Sequence, residues 1–322
     1  MKKMLKYNFV GNPDSGDNLN ELRRLSWDEG IVMCARHAWV WPLYCQLKMK
    51  GLPVLFNYEL QEDAVNFVHA QVARVILSPH ELSKYFVVVI RADYRSFPFG
   101  RFEIVQNKHC AAGTRRIFMP HYPQPGLLPR MKERTKVENV CFSGQANNFC
   151  LDKEQLGNDL EQLGCKLIFR ECGEWQDMRE VDVLLGIRSL SKKKYHSKPP
   201  TKLFNAWLSR IPFIGGYDSA YEQVGRPGTD FLRVSTYSEL LDAVSQLKKK
   251  PELYNRIVES GLKKGENFTA AATTERWVNF IEENVVPAFN CWNACEWSIS
   301  QGIKNRLYTM DKWYHRMRGL GR

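Results

Sequence analysis

The chain has 322 residues, of which 44% are hydrophobic and 25% are charged, with a formal net charge of +11. This length accommodates two domains of ordinary size, and no apolar run approaches the ~20 residues of a membrane-spanning helix. The basic start has no apolar core of a signal peptide, and the nine cysteines form no CxxC pair or regular framework. We therefore expect a soluble, cytoplasmic protein with reduced thiols and no zinc site.

The positive charge is unevenly distributed. Residues 1–136 contain 20 Lys/Arg and 12 Asp/Glu (+8), residues 137–290 contain 20 and 21 (−1), and residues 291–322 contain 6 and 2 (+4). A basic first half and tail favour an anionic acceptor, a lipid-diphosphate substrate or an anionic membrane surface. A generally basic surface kept for solubility is an equal alternative.

The first half alternates short apolar runs with polar spacers, a pattern typical of a mostly parallel α/β sheet. Strands are predicted at 7–10, 31–35, 54–57, 75–78, 86–90, 103–105 and 117–119. Polar residues follow several of them, including His37, His80, Asp93 and His121. Open α/β sheets bind ligands at the carboxyl ends of their strands, so these residues predict a cleft, although loops are polar in general.

A stiff, Pro- and Gly-rich connector at 120–129 and a charged one at 131–136 place a domain boundary near residue 135. Beyond it, strands are predicted at 140–143, 166–169 and 181–185, with a helix over 152–163. This alternation predicts a second doubly wound domain.

Residues 195–222 form the most informative segment. A basic, proline-stiffened loop from Lys198 to Lys202 leads into a short amphipathic helix and the strand 211–214. Gly215 and Gly216 end that strand, and Ser219 begins another helix. Two helix N-termini, a glycine turn and two lysines together favour phosphate binding, and we predict a diphosphate-linked ligand.

The same segment reads Lys-Pro-x-x-Lys-Leu-x-Asn-Ala-Trp-Leu-x-x-x-Pro-x-Ile, then Ser-Ala-Tyr-Glu. It resembles the donor half of GT-B-fold glycosyltransferases, over about residues 139–283, with a weaker match to the acceptor half over 86–126. The resemblance implies two Rossmann-like α/β domains that face a central cleft. We expect an acceptor-side domain (1–135), a nucleotide-sugar donor domain (136–285), and a C-terminal aromatic and basic helix (286–322) that crosses back to the first domain.

The resemblance also implies a transferase that moves a sugar from a nucleotide-diphosphate donor to a glycan, glycoprotein or glycolipid acceptor. We expect positive charges and N–H groups to stabilise the departing diphosphate. The residues predicted to bind the donor are Lys198, Lys202, Arg188, Gly144, Ser219 and Ala220, with Asn205 and Glu222 placed where related enzymes contact ribose or sugar hydroxyls.

The sequence departs from the family pattern at two positions that bear on the stereochemistry of transfer. Many retaining members of this fold have two glutamates eight positions apart, whereas the aligned residues here are Ser197 and Asn205. This weakens a retaining assignment without establishing inversion. An inverting enzyme needs a general base on the acceptor side, for which His37 and Asp93 rank first. No Asp-x-Asp motif stands beside a strand, so we expect no metal, the lysines supplying that charge.

Other interpretations remain open. The same fold hosts nucleotide-sugar epimerases and phosphorylases, and the missing acidic pair is compatible with a non-catalytic homologue. The net charge and the tail, where aromatic and basic residues alternate over 290–322, also suggest a nucleic-acid-binding protein. No recognised binding module is present, so we expect no nucleic acid. The tail fits either packing on the first domain or peripheral contact with an anionic membrane.

Overall fold

The computed structural model describes residues 5–13, 16, 18–29 and 37–294. The first sheet is parallel throughout and has the strand order β2-β1-β3-β4-β5-β6. Its strands are β1 (Lys6–Val10), β2 (Val54–Asn57), β3 (Ala64–His69), β4 (Phe86–Ala92), β5 (Phe102–Val105) and β6 (Arg116–Phe118). The accompanying helices are α1 (Leu19–Arg24), α2 (Trp41–Met49), α3 (Ala70–Ile76) and α4 (Pro79–Lys84).

The second sheet is also parallel, with the order β11-β10-β9-β7-β8. Its strands are β7 (Asn139–Ser143), β8 (Lys166–Arg170), β9 (Val183–Gly186), β10 (Phe213–Gly215) and β11 (Leu232–Arg233). Its helices are α5 (Lys153–Gln162), α6 (Thr201–Leu208), α7 (Ser219–Glu222), α8 (Tyr237–Lys249) and α9 (Pro251–Gly265).

Each sheet is buried on both faces. In β4, Phe86, Val88 and Ile90 belong to one core cluster, whereas Val87 and Val89 belong to another. The strands of the second sheet divide their side chains between two clusters in the same way. Alternate residues of a strand point to opposite faces, so a parallel sheet covered on both sides needs continuous apolar runs. The expectation of two doubly wound α/β domains is confirmed.

Both sheets have a topological switch point, where the chain reverses its direction of travel across the sheet. It lies between β1 and β3 in the first sheet and between β7 and β9 in the second. The crevice at the carboxyl ends of such a strand pair is where open α/β sheets bind ligands.

The chain returns to the first domain after α9. Helix α10 (Ala270–Phe280) continues through a π-helical turn, Ile281–Val285, into α11 (Val286–Ala294). Phe280 packs edge-on against Phe102, and Phe289 does so against Phe86, with ring centres 5.3 Å apart in each case. The expected crossing helix is therefore present, and it begins at α10, before residue 286. Residues 295–322, which hold most of the aromatic and basic tail, lie outside the described residues.

Trp207 fixes α6 against α9. Its Nε1 donates a hydrogen bond of 2.9 Å to the carbonyl of Asp230, its indole lies against Gly261, and its Cβ lies near Gly265. A Cβ atom on Gly261 would lie 2.4 Å from Trp207 Cδ1, so only glycine permits this approach. The contact holds in place the helix that carries Lys202.

A buried ion-pair cluster attaches the interdomain connector to the second sheet. The carboxylate of Asp182, just before β9, is fully buried and pairs with Arg130 at 2.8 Å and Arg134 at 2.7 Å. It also accepts hydrogen bonds from the main-chain N–H groups of Glu138 and Asn139. Burial by itself would raise the pKa of Asp182, but the hydrogen bonds hold it below its usual value.

Most predicted strands are confirmed, but the strand at 75–78 is wrong. Those residues end α3 and cap α4, and the two strands that we did not predict are β3 and β11. Residues 31–35, predicted as a strand, lie outside the described residues. Within the described part of the chain, no helix combines the length and apolarity needed to cross a membrane.

Candidate functional site

Three of the predicted donor-binding residues border the switch-point crevice of the second sheet. Gly144 directly follows β7, and Arg188 lies two residues beyond β9. Lys202 is in the first turn of α6. A Cβ atom on Gly144 would lie 3.0 Å from Lys202 Nζ, so the glycine leaves room for the ammonium group. The fold thus brings together residues separated by up to 58 positions in the sequence.

Lys202 is the main charged feature of this crevice. It is half-buried, with Nζ 3.9 Å from the centre of the Phe142 ring. Burial, reinforced by the neighbouring charge of Arg188, lowers the pKa of Lys202 to about 7. No carboxylate among the described residues forms an ion pair with it. Near pH 7 the Lys202 side chain is therefore only partly protonated, and an anionic ligand would stabilise its protonated form.

Arg188 is held in position by Asp218, which sequence reasoning did not identify. Its Nε donates to the nearly fully buried carboxylate at 2.7 Å. A charge-assisted bond to a fixed carboxylate orients the guanidinium while leaving its other donors for additional contacts. Asp218 directly precedes the Ser-Ala-Tyr-Glu motif, but nothing in the sequence connects it with a partner 30 residues away.

Lys198 faces the other domain. Its Nζ lies 2.5 Å from Oδ2 of Asp93, which follows β4, and both side chains are partly exposed. Lys198, which we predicted to bind phosphate, is therefore ion-paired across the cleft with Asp93, which we predicted to be the general base. The ammonium group of Lys198 occupies Oδ2 of Asp93, so catalysis by Asp93 requires this pair to separate. Both roles stay predictions.

The N-terminus of α7 is occupied in this conformation. The N–H of Ser219 donates to the carbonyl of Lys194 at 2.6 Å, and its Oγ accepts from Asn107 at 3.0 Å. Ser219 and Ala220 are each 1% exposed. We predicted that their N–H groups bind phosphate, and the N–H of Ser219 would first have to leave Lys194.

Glu222 and Asn205 also have protein partners. Hydrogen bonds from Lys194 at 2.6 Å and Arg233 at 2.5 Å hold the pKa of Glu222 below its usual value, against the effect of burial. Oδ1 of Asn205 accepts from the main-chain N–H of Gln124 at 3.0 Å, which connects α6 with the interdomain connector. Their predicted contacts with a sugar or ribose stay predictions.

The histidines are less accessible than the sequence suggested. His37 is fully buried, and its Nε2 accepts from the main-chain N–H of Asn12 at 2.9 Å, so this conformation does not present it to an acceptor. The ring nitrogens of His121 lie against the carbonyls of Tyr122 and Ala38, and burial lowers its pKa. His80 is in the first turn of α4 and follows no strand, contrary to our prediction.

The part of the chain that the structure describes contains no group of three or more His, Cys, Asp or Glu side chains able to hold a metal ion. The positive charges at the crevice are those of Lys202 and Arg188.

Two solved structures resemble this one over nearly its whole length. HepE from Anabaena, in complex with UDP and glucose, is 10% identical, with a TM-score of 0.57, and the match covers 87% of this chain and 100% of HepE. Sucrose-phosphate synthase from Thermosynechococcus elongatus is 8% identical, with a TM-score of 0.58 and coverage of 88% and 100%. The chain has the GT-B fold. No protein-family model and no curated protein matches its sequence.

Proposed function

We propose that this GT-B protein is a glycosyltransferase that uses a nucleotide-diphosphate sugar, specifically a UDP sugar, as donor. The proposal rests on the cation Lys202, which the fold encloses in the switch-point crevice of the second sheet without a carboxylate partner among the described residues. UDP is favoured because the structurally similar HepE was crystallised with UDP and glucose. The acceptor we propose is a glycan, glycoprotein or glycolipid.

The chemistry needs a stabilised leaving group. When the bond between the anomeric carbon and the diphosphate breaks, negative charge accumulates on the diphosphate oxygens. Lys202 and Arg188 would stabilise that charge most strongly because their surroundings are poor in water. No metal ion is required if these side chains supply the positive charge.

The pair of Lys198 and Asp93 would couple donor binding to activation of the acceptor. A bound diphosphate competes with Asp93 for the ammonium group of Lys198. Once Lys198 contacts the phosphate, the Asp93 carboxylate is free to accept the proton of the acceptor hydroxyl as this oxygen attacks the sugar. The lysine and the aspartate would then act in sequence, each in the role that the sequence predicted.

The test is calorimetry with UDP, GDP, ADP, CMP and dTDP, followed by measurement of UDP release from UDP sugars, with and without EDTA. We expect selective binding of UDP, slow release in water and no effect of the chelator. Asp93→Asn should retain UDP binding while transfer to an acceptor falls. Failure to bind any nucleoside diphosphate would contradict the proposed function, and loss of activity with EDTA would contradict its metal independence alone.

A further inference from the structure

Asn107 makes an unusually complete set of contacts between the two domains. It follows β5 at the carboxyl edge of the first sheet and is only 1% exposed, although it lies in a loop. Its Nδ2 donates to the carbonyl of Lys198 at 3.1 Å and to Ser219 Oγ at 3.0 Å. Its Oδ1 accepts from Gln223 Nε2 at 2.7 Å and from the N–H of His109 at 3.1 Å.

These bonds use the whole capacity of the amide, which has two N–H donors and two acceptor positions. Three of the four partners belong to the second domain. Gln223 completes the arrangement because its Oε1 accepts from the main-chain N–H of Lys108 at 2.7 Å. A buried amide with every position satisfied has one orientation, and it fixes the groups around it.

The groups that Asn107 fixes belong to the candidate donor site. Lys198 is held at both ends by the first domain, with its carbonyl on Asn107 and its ammonium group on Asp93. Ser219 begins α7, immediately after the Asp218 that orients Arg188. Displacement of Asn107 would therefore alter the position of the Lys198 loop relative to the acceptor side.

We propose that Asn107 is a positioning residue for glycosyl transfer. It sets the position of the Lys198 loop and α7 relative to the first domain, so that the diphosphate and the acceptor-side base are aligned. This inference rests on the proposed function. Lys202 and Arg188, to which Asn107 makes no described hydrogen bond, would still bind the diphosphate, whereas Lys198 would lose its alignment with Asp93, so Asn107 should affect turnover much more than nucleotide affinity.

The test compares Asn107→Asp with Asn255→Asp. The first variant keeps the size of the side chain but places a carboxylate oxygen against the Lys198 carbonyl and removes both donors. The second makes the same chemical change at an exposed position on α9. UDP affinity is measured by calorimetry, UDP release from a UDP sugar gives turnover with water as acceptor, and thermal unfolding monitors the fold.

We expect Asn107→Asp to lower kcat by about 10- to 30-fold, the factor for loss of two net hydrogen bonds, with the Kd for UDP changed less than about threefold. Asn255→Asp should match the wild type. Equal turnover in the two variants, or a loss of UDP affinity as large as the loss of turnover, would overturn the inference.

Gln223→Ala removes the same interdomain contact from the second domain. It must also lower kcat while changing the Kd for UDP much less. It decides the matter if Asn107→Asp does not fold, and normal turnover in Gln223→Ala would then overturn the inference. A wild-type protein that binds no UDP would instead contradict the proposed function, and the inference with it. The wild-type measurement distinguishes these two failures.

Discussion

Replacing Lys202 by methionine should stabilise the free protein while removing its response to nucleotide. The pKa of Lys202 is lowered from 10.5 to about 7 in the folded chain. In the unfolded chain Lys202 binds its proton below about pH 10.5, whereas in the folded chain it does so only below about pH 7. Between these two pH values the unfolded chain binds more protons, so the side chain destabilises the fold increasingly as the pH falls. At about 1.4 kcal/mol per pKa unit, the penalty at pH 7 is about 4 kcal/mol.

Lys202→Met removes this penalty but also the contact of the ammonium group with Phe142, which is worth up to about 2 kcal/mol. The net gain should therefore be about 2 kcal/mol, or about 4 to 8 °C in Tm for a domain of this size. Thermal unfolding with and without UDP measures both effects. The variant should unfold at a higher temperature than the wild type and show little further increase with UDP.

Lys153→Met is the matched control. Lys153 lies on α5 with its Nζ 4.5 Å from the centre of the Phe169 ring, but it is exposed and lies outside the group of residues that borders the crevice. Its replacement should neither raise the Tm nor reduce the response to UDP. If Lys202→Met unfolds at or below the temperature of this control and still gains stability from UDP, both the buried charge and the diphosphate site are misassigned.

Three further predictions follow from other features. The affinity for a UDP sugar, measured by calorimetry, should fall about tenfold from pH 6 to pH 8 because Lys202 must be protonated to bind, whereas the weak residual affinity of Lys202→Met should be the same at both pH values. Gly261→Ala should lower the free energy of unfolding in urea by about 1–3 kcal/mol because its methyl group meets Trp207. Gly157→Ala, on α5, has nothing within 4 Å of the added methyl group and should raise the free energy of unfolding by up to about 1 kcal/mol. Equal effects of the two substitutions would contradict this packing. The lowered pKa of Asp182 stabilises the fold at pH values above the pKa of the unfolded chain, and this contribution is lost as the pH falls through the folded pKa. Asp182→Asn should therefore be less stable than the wild type at pH 7. Urea titrations should show this difference shrinking toward pH 3.

The fold could be predicted well where apolar runs are continuous. Strands such as β4 and β7 are buried on both faces and show this pattern directly. Strand β3 was missed because Asn66 and His69 interrupt its apolar run. The buried Asn66 is tolerated in the sheet because it forms hydrogen bonds with Asn8 of the neighbouring strand at 2.9 Å and with the main chain of Gln61. The bond with Asn8 forms only when the chain folds and the two strands pair.

The candidate site could be predicted in part. Lys202 and Gly144 were identified from a local motif and from the end of a strand, which are features of the sequence alone. Asp218 and Asn107 were not assigned roles in donor binding because their importance depends on partners 30 to 116 residues away. Whether a polar side chain binds a ligand or another part of the protein is decided by such long-range contacts, as Asn205 shows.

The return of the chain to the first domain affects the order in which the two domains can fold. The core under the first sheet includes Trp277, Phe280 and Phe289, which are synthesised after the entire second domain. The second domain, by contrast, is one uninterrupted stretch that ends with α9. On the ribosome it can complete its core first, while the first sheet still exposes the apolar face that α10 and α11 will cover. The first domain is therefore the last to complete its core, and its uncovered apolar face is prone to aggregation during synthesis.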